Sequence, residues 1–190
     1  MNVPNERTPA ALLLLVLILA IVTRIGGLSE GFWIDEVISS DTAAMPWGEL
    51  LARAGLADVH PPGYYLGLKF WGLFAGSSDL ASRLFTLLVS VLTVGLLTVV
   101  TRSRFGNVAS MVAGMALALS PLHAHYGVEV RSYTLLTGLT LAAVICQERL
   151  LARPLCGRRQ VLLVLVLSAL TWVHTLGLIV AGLVLVHAFL

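Results

Sequence analysis

Charge is scarce in this sequence. Aspartate, glutamate, lysine and arginine supply 12% of its 190 residues against 58% hydrophobic, and the mean hydropathy is +0.93. That balance excludes a soluble globular domain, where charged residues make up about 25%. Strict apolar-polar alternation is missing too, which excludes a membrane β-barrel and leaves helices as the spanning structure, because backbone polar groups in lipid must be satisfied within the segment. The net charge is only +2 and the arginines fall mostly in short loops, so a nucleic-acid partner is excluded. The two cysteines, Cys146 and Cys156, lie at a helix end and in a basic loop without ligand-like spacing, and suggest neither a disulfide nor a zinc site.

What fills the chain is a series of apolar runs close to the roughly 20 residues that cross about 30 Å of hydrocarbon. Expected spans are Ala10 to Leu28, Leu80 to Thr101, Val108 to Leu122, Ser132 to Leu150, and Val161 to Leu190, the last broken near His174. The expected fold class is therefore all-α: a polytopic transmembrane helical protein, residues 1–190 forming one membrane-embedded domain. The first run follows Arg7 but precedes no small-residue cleavage site, so it reads as an uncleaved anchor. The last run reaches Leu190 with no closing loop, and the sequence is expected to be the N-terminal portion of a longer module.

Residues 29–79, between the first two runs, hold Glu30, Asp35, Glu36, Asp41, Glu49, Asp58 and Asp79. Short-loop arginines favour the cytoplasm, which places Arg102/Arg104 and Arg149/Arg153/Arg158/Arg159 inside and residues 29–79 and 123–131 on the outer face. The apolar stretch His60 to Gly76 is rejected as a span, because counting it would put Asp35 and Glu129 on opposite faces. With Lys69 in its middle and many aromatics it reads as an interfacial helix opened by Pro61 and Pro62. A short helix near Asp35 to Ala44 is expected before it, and "MPWGEL" begins another.

Three clusters offer chemistry. Asp35 and Glu36 follow the first span at the low-dielectric edge, where partial desolvation makes a carboxylate a usable base; the alternative is a pair of solvated loop acids beside Trp33. In "SPLHAHYGVEVRSY", Pro121 ends a helix and the turn exposes His123, His125, Tyr126, Glu129 and Arg131. A helical turn would align His125, Glu129 and Tyr133, the alternative being a Glu129–Arg131 pair that merely closes a hairpin. His60 is fixed by two prolines or is simple helix punctuation. Arg83 offers a forked donor to phosphate or snorkels, and His174 marks a helix break that faces outward or is structural.

In order and spacing, "WIDE", "HPPGYYLGLKFW", "ASRLFTLLVSVLTV" and "SPLHAHYGVEVRSYTLL" resemble the membrane glycosyltransferases of the C-type fold, in the family that includes protein O-mannosyltransferases and lipid A aminoarabinose transferases. The resemblance extends from Ala10 to "TWVHTLGL". It implies transfer of a sugar from a polyprenyl-phosphate donor to a lipid, glycan or protein acceptor at the extracytoplasmic face of the cell (inner or plasma) membrane. By resemblance Asp35 is the base on the acceptor, with Glu36 beside it. Glu129 is associated with a divalent metal (Mg, Mn or Zn) or with acceptor and phosphate positioning. Arg131, and secondarily Arg83, hold the donor phosphate, and His60, His125, Tyr126, Tyr133 and His174 complete the substrate-binding set. Family members generally continue through further helices and often an outer acceptor domain, which this sequence does not contain.

The rival classes are a transporter subunit, which would place its ionisable groups near the bilayer midplane, and a non-catalytic assembly subunit. The expected topology is directly testable by cysteine accessibility. Positions 35, 60 and 129 should label from outside and positions 104 and 158 from the cytoplasm; labelling of 129 only from the cytoplasm would overturn the orientation.

Overall fold

The computed structural model describes residues 10–56, 60–152 and 156–187; Arg7, Asp58, Arg153 and Leu190, named above, lie outside the described residues. The elements are α1 (Ala10–Ile25) with a 3-10 turn (Gly26–Ser29), α2 (Ile34–Ala44), α3 (Trp47–Leu56), α4 (Gly63–Ala75), α5 (Asp79–Ala118), α6 (Pro121–His125), α7 (Tyr133–Leu151), α8 (Gly157–Val173) and α9 (Leu176–His187). The fold is all-α. Ala10–Ser29, Asp79–Ala118 and Tyr133–Leu151 are long and apolar enough to cross a membrane, and the protein is a multi-pass membrane protein.

The 40 residues of α5 would reach about 60 Å if straight, twice the hydrocarbon thickness. They fold back instead. Gly106 adopts φ +84°, a region that disfavours any residue with a Cβ, and Arg102 Nε donates to Asn107 Oδ1 across the bend at 2.7 Å. Ser110 Oγ donates to the Thr98 carbonyl at 2.7 Å, a pair that a straight helix would hold about 18 Å apart. The two arms, 79–105 and 107–118, correspond to the two spans expected there. The second ends earlier than Leu122 because Ser120 caps a new helix, its Oγ accepting from His123 N–H at 3.3 Å with Pro121 in the first turn. Between the arms α1 buries Val16 and Ala20 against Val94 and Ala118.

The run from Val161 breaks at His174 as expected, α8 ending at Val173 and α9 starting at Leu176. It departs from expectation in direction, since the two helices form an antiparallel hairpin. Gln147, near the end of α7 where α8 begins, donates to the carbonyl of Val184 near the end of α9. Ala143, Cys146, Leu163, Leu167, Leu170, Ala181 and Val184 form one core among α7, α8 and α9. The turn is closed by the His174 ring, whose Nδ1 accepts from Leu176 N–H at 3.0 Å.

Helix α4, 13 residues long, stays at one end of the bundle. Gly63 abuts the Trp172 carbonyl at the end of α8, Tyr64 Oη meets Thr86 Oγ1 at 3.3 Å, and Trp71 Nε1 donates to the Ala81 carbonyl at 2.8 Å. All of these partners stand at one end of the bundle. There Lys69 Nζ donates to the carbonyls of Met45 at 2.6 Å and Ala43 at 3.2 Å, satisfying the C-terminus of α2. At the opposite end Arg104 pairs with Glu148, and Arg159 donates to the Arg149 carbonyl. The basic loops thus share one end, and Asp35, His60 and Glu129 share the other.

A Cβ at Gly177 would overlap the Leu170 carbonyl oxygen, whereas one at Gly182 would meet nothing within 4 Å. Gly177→Ala should therefore destabilise by about 1–3 kcal/mol, and Gly182→Ala should be neutral or slightly stabilising. Thermal unfolding in detergent reads both; equal midpoints would contradict the hairpin.

Candidate active site

The site grows from the segment that leaves α1. Trp33 opens α2, and Glu36, three residues on, reaches back so that its Oε2 accepts from Trp33 N–H at 3.3 Å, one half of a capping box. The same Oε2 accepts from Arg83 Nη2 at 2.8 Å, and Oε1 accepts from Val130 N–H at 2.9 Å. Glu36 is 1% exposed and Arg83 3%. Arg83 Nη1 and Nη2 also donate to the carbonyls of Gly27 and Gly31, its Nε is buried without a hydrogen-bond partner, and its guanidinium lies over the Phe32 ring. Three segments distant in sequence therefore converge on one carboxylate.

Asp35 turns elsewhere. Its Oδ2 stands 3.6 Å from Arg131 Nη2, and its side chain is 35% exposed while that of Arg131 is 11%. Arg131 also lies over the Tyr133 ring at 5.9 Å. Burial lowers the pKa of this guanidinium, but hydrogen bonding to Tyr133 and the charge of Asp35 raise it more, so it stays cationic. From Arg131 a row of rings runs across the site: His125 to Tyr126 at 5.2 Å, Tyr126 to Tyr133 at 4.5 Å, Tyr133 to His174 at 5.7 Å and His174 to His60 at 5.1 Å. His174 Nε2 is buried without a hydrogen-bond partner. Burial, then the neighbouring His60 and Arg131, hold its ring below the ordinary histidine range and therefore neutral. His60 and Arg131 share the wall of a void of about 10 Å³, roughly one water.

Glu129 occupies a separate compartment. Its Oε1 accepts from Trp33 Nε1 at 3.0 Å, and its Oε2, buried and without a hydrogen bond, lies 3.5 Å from His125 Nε2. Burial is the main influence on this carboxyl and raises its pKa, partly offset by His125 and the Trp33 bond. A cavity of about 370 Å³ opens here, walled by Glu30, Trp33, Arg83, His125, Val128 and Glu129 with Gly31 and Glu36; Asp35 and Arg131 are not in its walls. The turn that carries His125 and Glu129 is not continuous helix, since α6 ends at His125 and α7 begins at Tyr133; the pair meets through the turn itself.

The donor set does not fit a resident divalent cation. Glu129 and His125 supply two donors, and among the described residues no group of three or more His, Cys, Asp or Glu converges.

Two residues outside the expected set are built into the same end. Arg24 is 1% exposed within α1 and donates to Ser90 Oγ at 2.8 Å, Thr23 Oγ1 at 2.8 Å, the carbonyls of Ala20 at 2.7 Å and Ala118 at 3.1 Å, and the His123 ring at 2.7 Å. Gly127 lets the turn close over it, since a Cβ there would come within 2.5 Å of Arg24 Nε. The signal was present: an arginine inside an apolar span is costly unless it is used or paired.

A family described as dolichyl-phosphate-mannose-protein mannosyltransferase matches residues 59–189, well over half of the chain. The chain belongs to this family. It is thereby a membrane glycosyltransferase-type protein, as the resemblance implied. No curated protein and no solved structure matches it. The family match begins after Asp35 and Glu36 but contains Arg83, Glu129 and Arg131, so the Glu36 carboxylate binds the unmatched segment to the matched one.

Glu36→Gln would leave the Arg83 charge buried and unpaired, and should destabilise the protein by about 3–5 kcal/mol. Replacing both partners with apolar residues should recover much of that loss. Thermal midpoints of the single and double variants test it: a single variant as stable as the parent would remove Glu36 from its structural place.

Proposed function

We propose that this face of the protein transfers a sugar from a polyprenyl-phosphate donor to an acceptor at the extracytoplasmic side of the membrane, with Asp35 as general base. The observation that carries the reading is the Asp35–Arg131 pair: a partly exposed carboxylate and a largely buried, always-charged guanidinium, brought together from segments 96 residues apart at one end of a membrane bundle.

The pair suits coupled chemistry. A donor phosphate competes for Arg131, whose planar fork fits phosphate oxygens better than a single carboxylate contact at 3.6 Å does. Binding of the donor would thus release Asp35 to accept the acceptor's proton. As the new bond forms between the acceptor and the anomeric carbon, the bond from that carbon to the phosphate oxygen breaks. Its electron pair stays on the phosphate, where Arg131 stabilises the charge. The ring row of Tyr126, Tyr133, His174 and His60 supplies apolar faces for a sugar, and the unpartnered His174 Nε2 offers it a hydrogen bond. Glu129, with its raised pKa, and His125 wall the neighbouring cavity, which Asp35 does not line, and would hold the body of the acceptor while its reacting hydroxyl reaches Asp35. Glu36 and Arg83 act here as positioning residues, since their charges are spent on each other and on backbone groups.

Asp35→Asn keeps shape and hydrogen bonding but removes basicity, and should lower sugar transfer by about 100-fold or more with donor binding retained. Arg131→Ala should weaken donor binding first. Transfer by correctly inserted Asp35→Asn protein at the parental rate would exclude Asp35 as the base.

A further inference from the structure

A second polar feature lies beside the ring row and shares Tyr126 and Tyr133 with it, while its His123 and Thr134 take no part in the chemistry above. Between the end of the second α5 arm, α6 and the first turns of α7 lies a cavity of about 230 Å³, lined by Leu117, Leu122, His123, Tyr126, Tyr133 and Thr134 together with Ser120 and Thr137. Leu122 is 68% exposed, so one wall faces outward as an apolar surface. Two polar atoms enter this setting unsatisfied: His123 Nε2 and Thr134 Oγ1 are buried with no hydrogen-bond partner, in residues 8% and 1% exposed. Buried polar groups without partners are rare and costly, which makes two in one cavity a mark of a missing ligand.

The orientation of His123 is fixed by Arg24. A guanidinium can only donate, so His123 Nδ1, 2.7 Å from Arg24 Nη2, must be the acceptor. The ring proton is therefore on Nε2. Burial and the Arg24 charge hold the His123 pKa down at about 4, so the ring is neutral at physiological pH and keeps this tautomer. Among the described residues every hydrogen-bond partner of Arg24 is uncharged, leaving a buried positive charge without a counter-ion. An anion at His123 Nε2, across the imidazole from Arg24, would offset that charge and satisfy both the Nε2–H and the Thr134 hydroxyl. The apolar walls require that this anion carry a slender hydrocarbon body.

We propose that this cavity seats the phosphate of a single-chain isoprenyl phosphate lipid, held by His123 Nε2–H and the Thr134 hydroxyl, as a lipid seat distinct from Arg131. The assignment rests on the transferase reading for its choice of lipid. Arg131 is not in the cavity wall; Tyr133 stands between, lining the cavity and carrying the Arg131 guanidinium 5.9 Å from its ring centre. A carrier lodged at His123 would thus wait one ring away from the reacting pair.

The test uses the protein in phosphatidylcholine nanodiscs with a photoactivatable farnesyl phosphate, its adducts on residues 117–126 being read by mass spectrometry. His123→Asn keeps an acceptor for Arg24 while removing the Nε2–H, and Thr134→Val removes a hydroxyl on which no contact within the protein depends. Each should reduce labelling by about 10-fold, the scale of one lost hydrogen bond to a charged group, while Arg131→Ala leaves it unchanged. Labelling retained in both His123→Asn and Thr134→Val overturns the seat. So does labelling by a farnesol probe at the same level, or competition by inorganic phosphate or dioleoyl phosphatidate as strong as that of unlabelled farnesyl phosphate. The two readings fail separately. Asp35→Asn with full sugar transfer but the expected labelling pattern sinks the base and keeps the seat; loss of transfer in Asp35→Asn with unaltered labelling in the His123 and Thr134 variants does the reverse.

Discussion

A charge taken out of water is costly unless it meets its opposite, and Glu36 and Arg83, both buried, meet at a place that organises the site around them. The carboxylate also accepts from the N–H groups of Trp33 and Val130, so that it closes the start of α2, the start of α5 and the turn before α7 into one unit. Asp35 is the chain neighbour of one end of this tie, and Glu129 and Arg131 flank Val130 at another. Such a pair contributes little net stability over an apolar substitute, but it is unforgiving of displacement. The site geometry therefore derives from an interaction that takes no part in the chemistry.

The division between the two acidic neighbours follows from helical geometry. Successive residues on a helix point about 100° apart, so when Glu36 faces inward Asp35 is carried toward the surface and Arg131. The same tie separates two environments. On one side lies the pair of partly exposed Asp35 and largely buried Arg131; on the other, a cavity in which burial raises the pKa of Glu129.

Much of the fold was legible because it rests on local rules. Hydropathy located the runs, Pro61 and Pro62 marked a helix start and Pro121 a helix end, and arginine placement separated the two ends of the bundle correctly in relative terms. The hairpin of α8 and α9 was not legible. Thirty nearly uncharged residues, 161–190, report affinity for lipid but carry no record of direction, and the turn depends on a histidine ring bonding the backbone two residues on. The candidate residues could be named from the sequence, and so could the His125–Glu129 pair, but the long-range partners could not. Nothing local to Glu36 indicates that it will meet Arg83, 47 residues on, or Val130 N–H, 94 residues on, because loop closure over such distances is decided by packing and not by pattern. Arg24 and His123 were missed as a pair for the same reason.

The boundary at which the family match begins lies across this tie. Residues before 59 fall outside the match, yet Glu36 neutralises Arg83 and holds Val130, and Trp33 holds Glu129, all three within it. The recognisable family region is therefore not a self-sufficient unit. Excised at that edge, it would keep an uncompensated guanidinium in its interior and an untethered outer turn. Exchange of first helices between relatives is thereby constrained: a foreign leading segment is compatible only if it delivers an acid at the depth of Glu36.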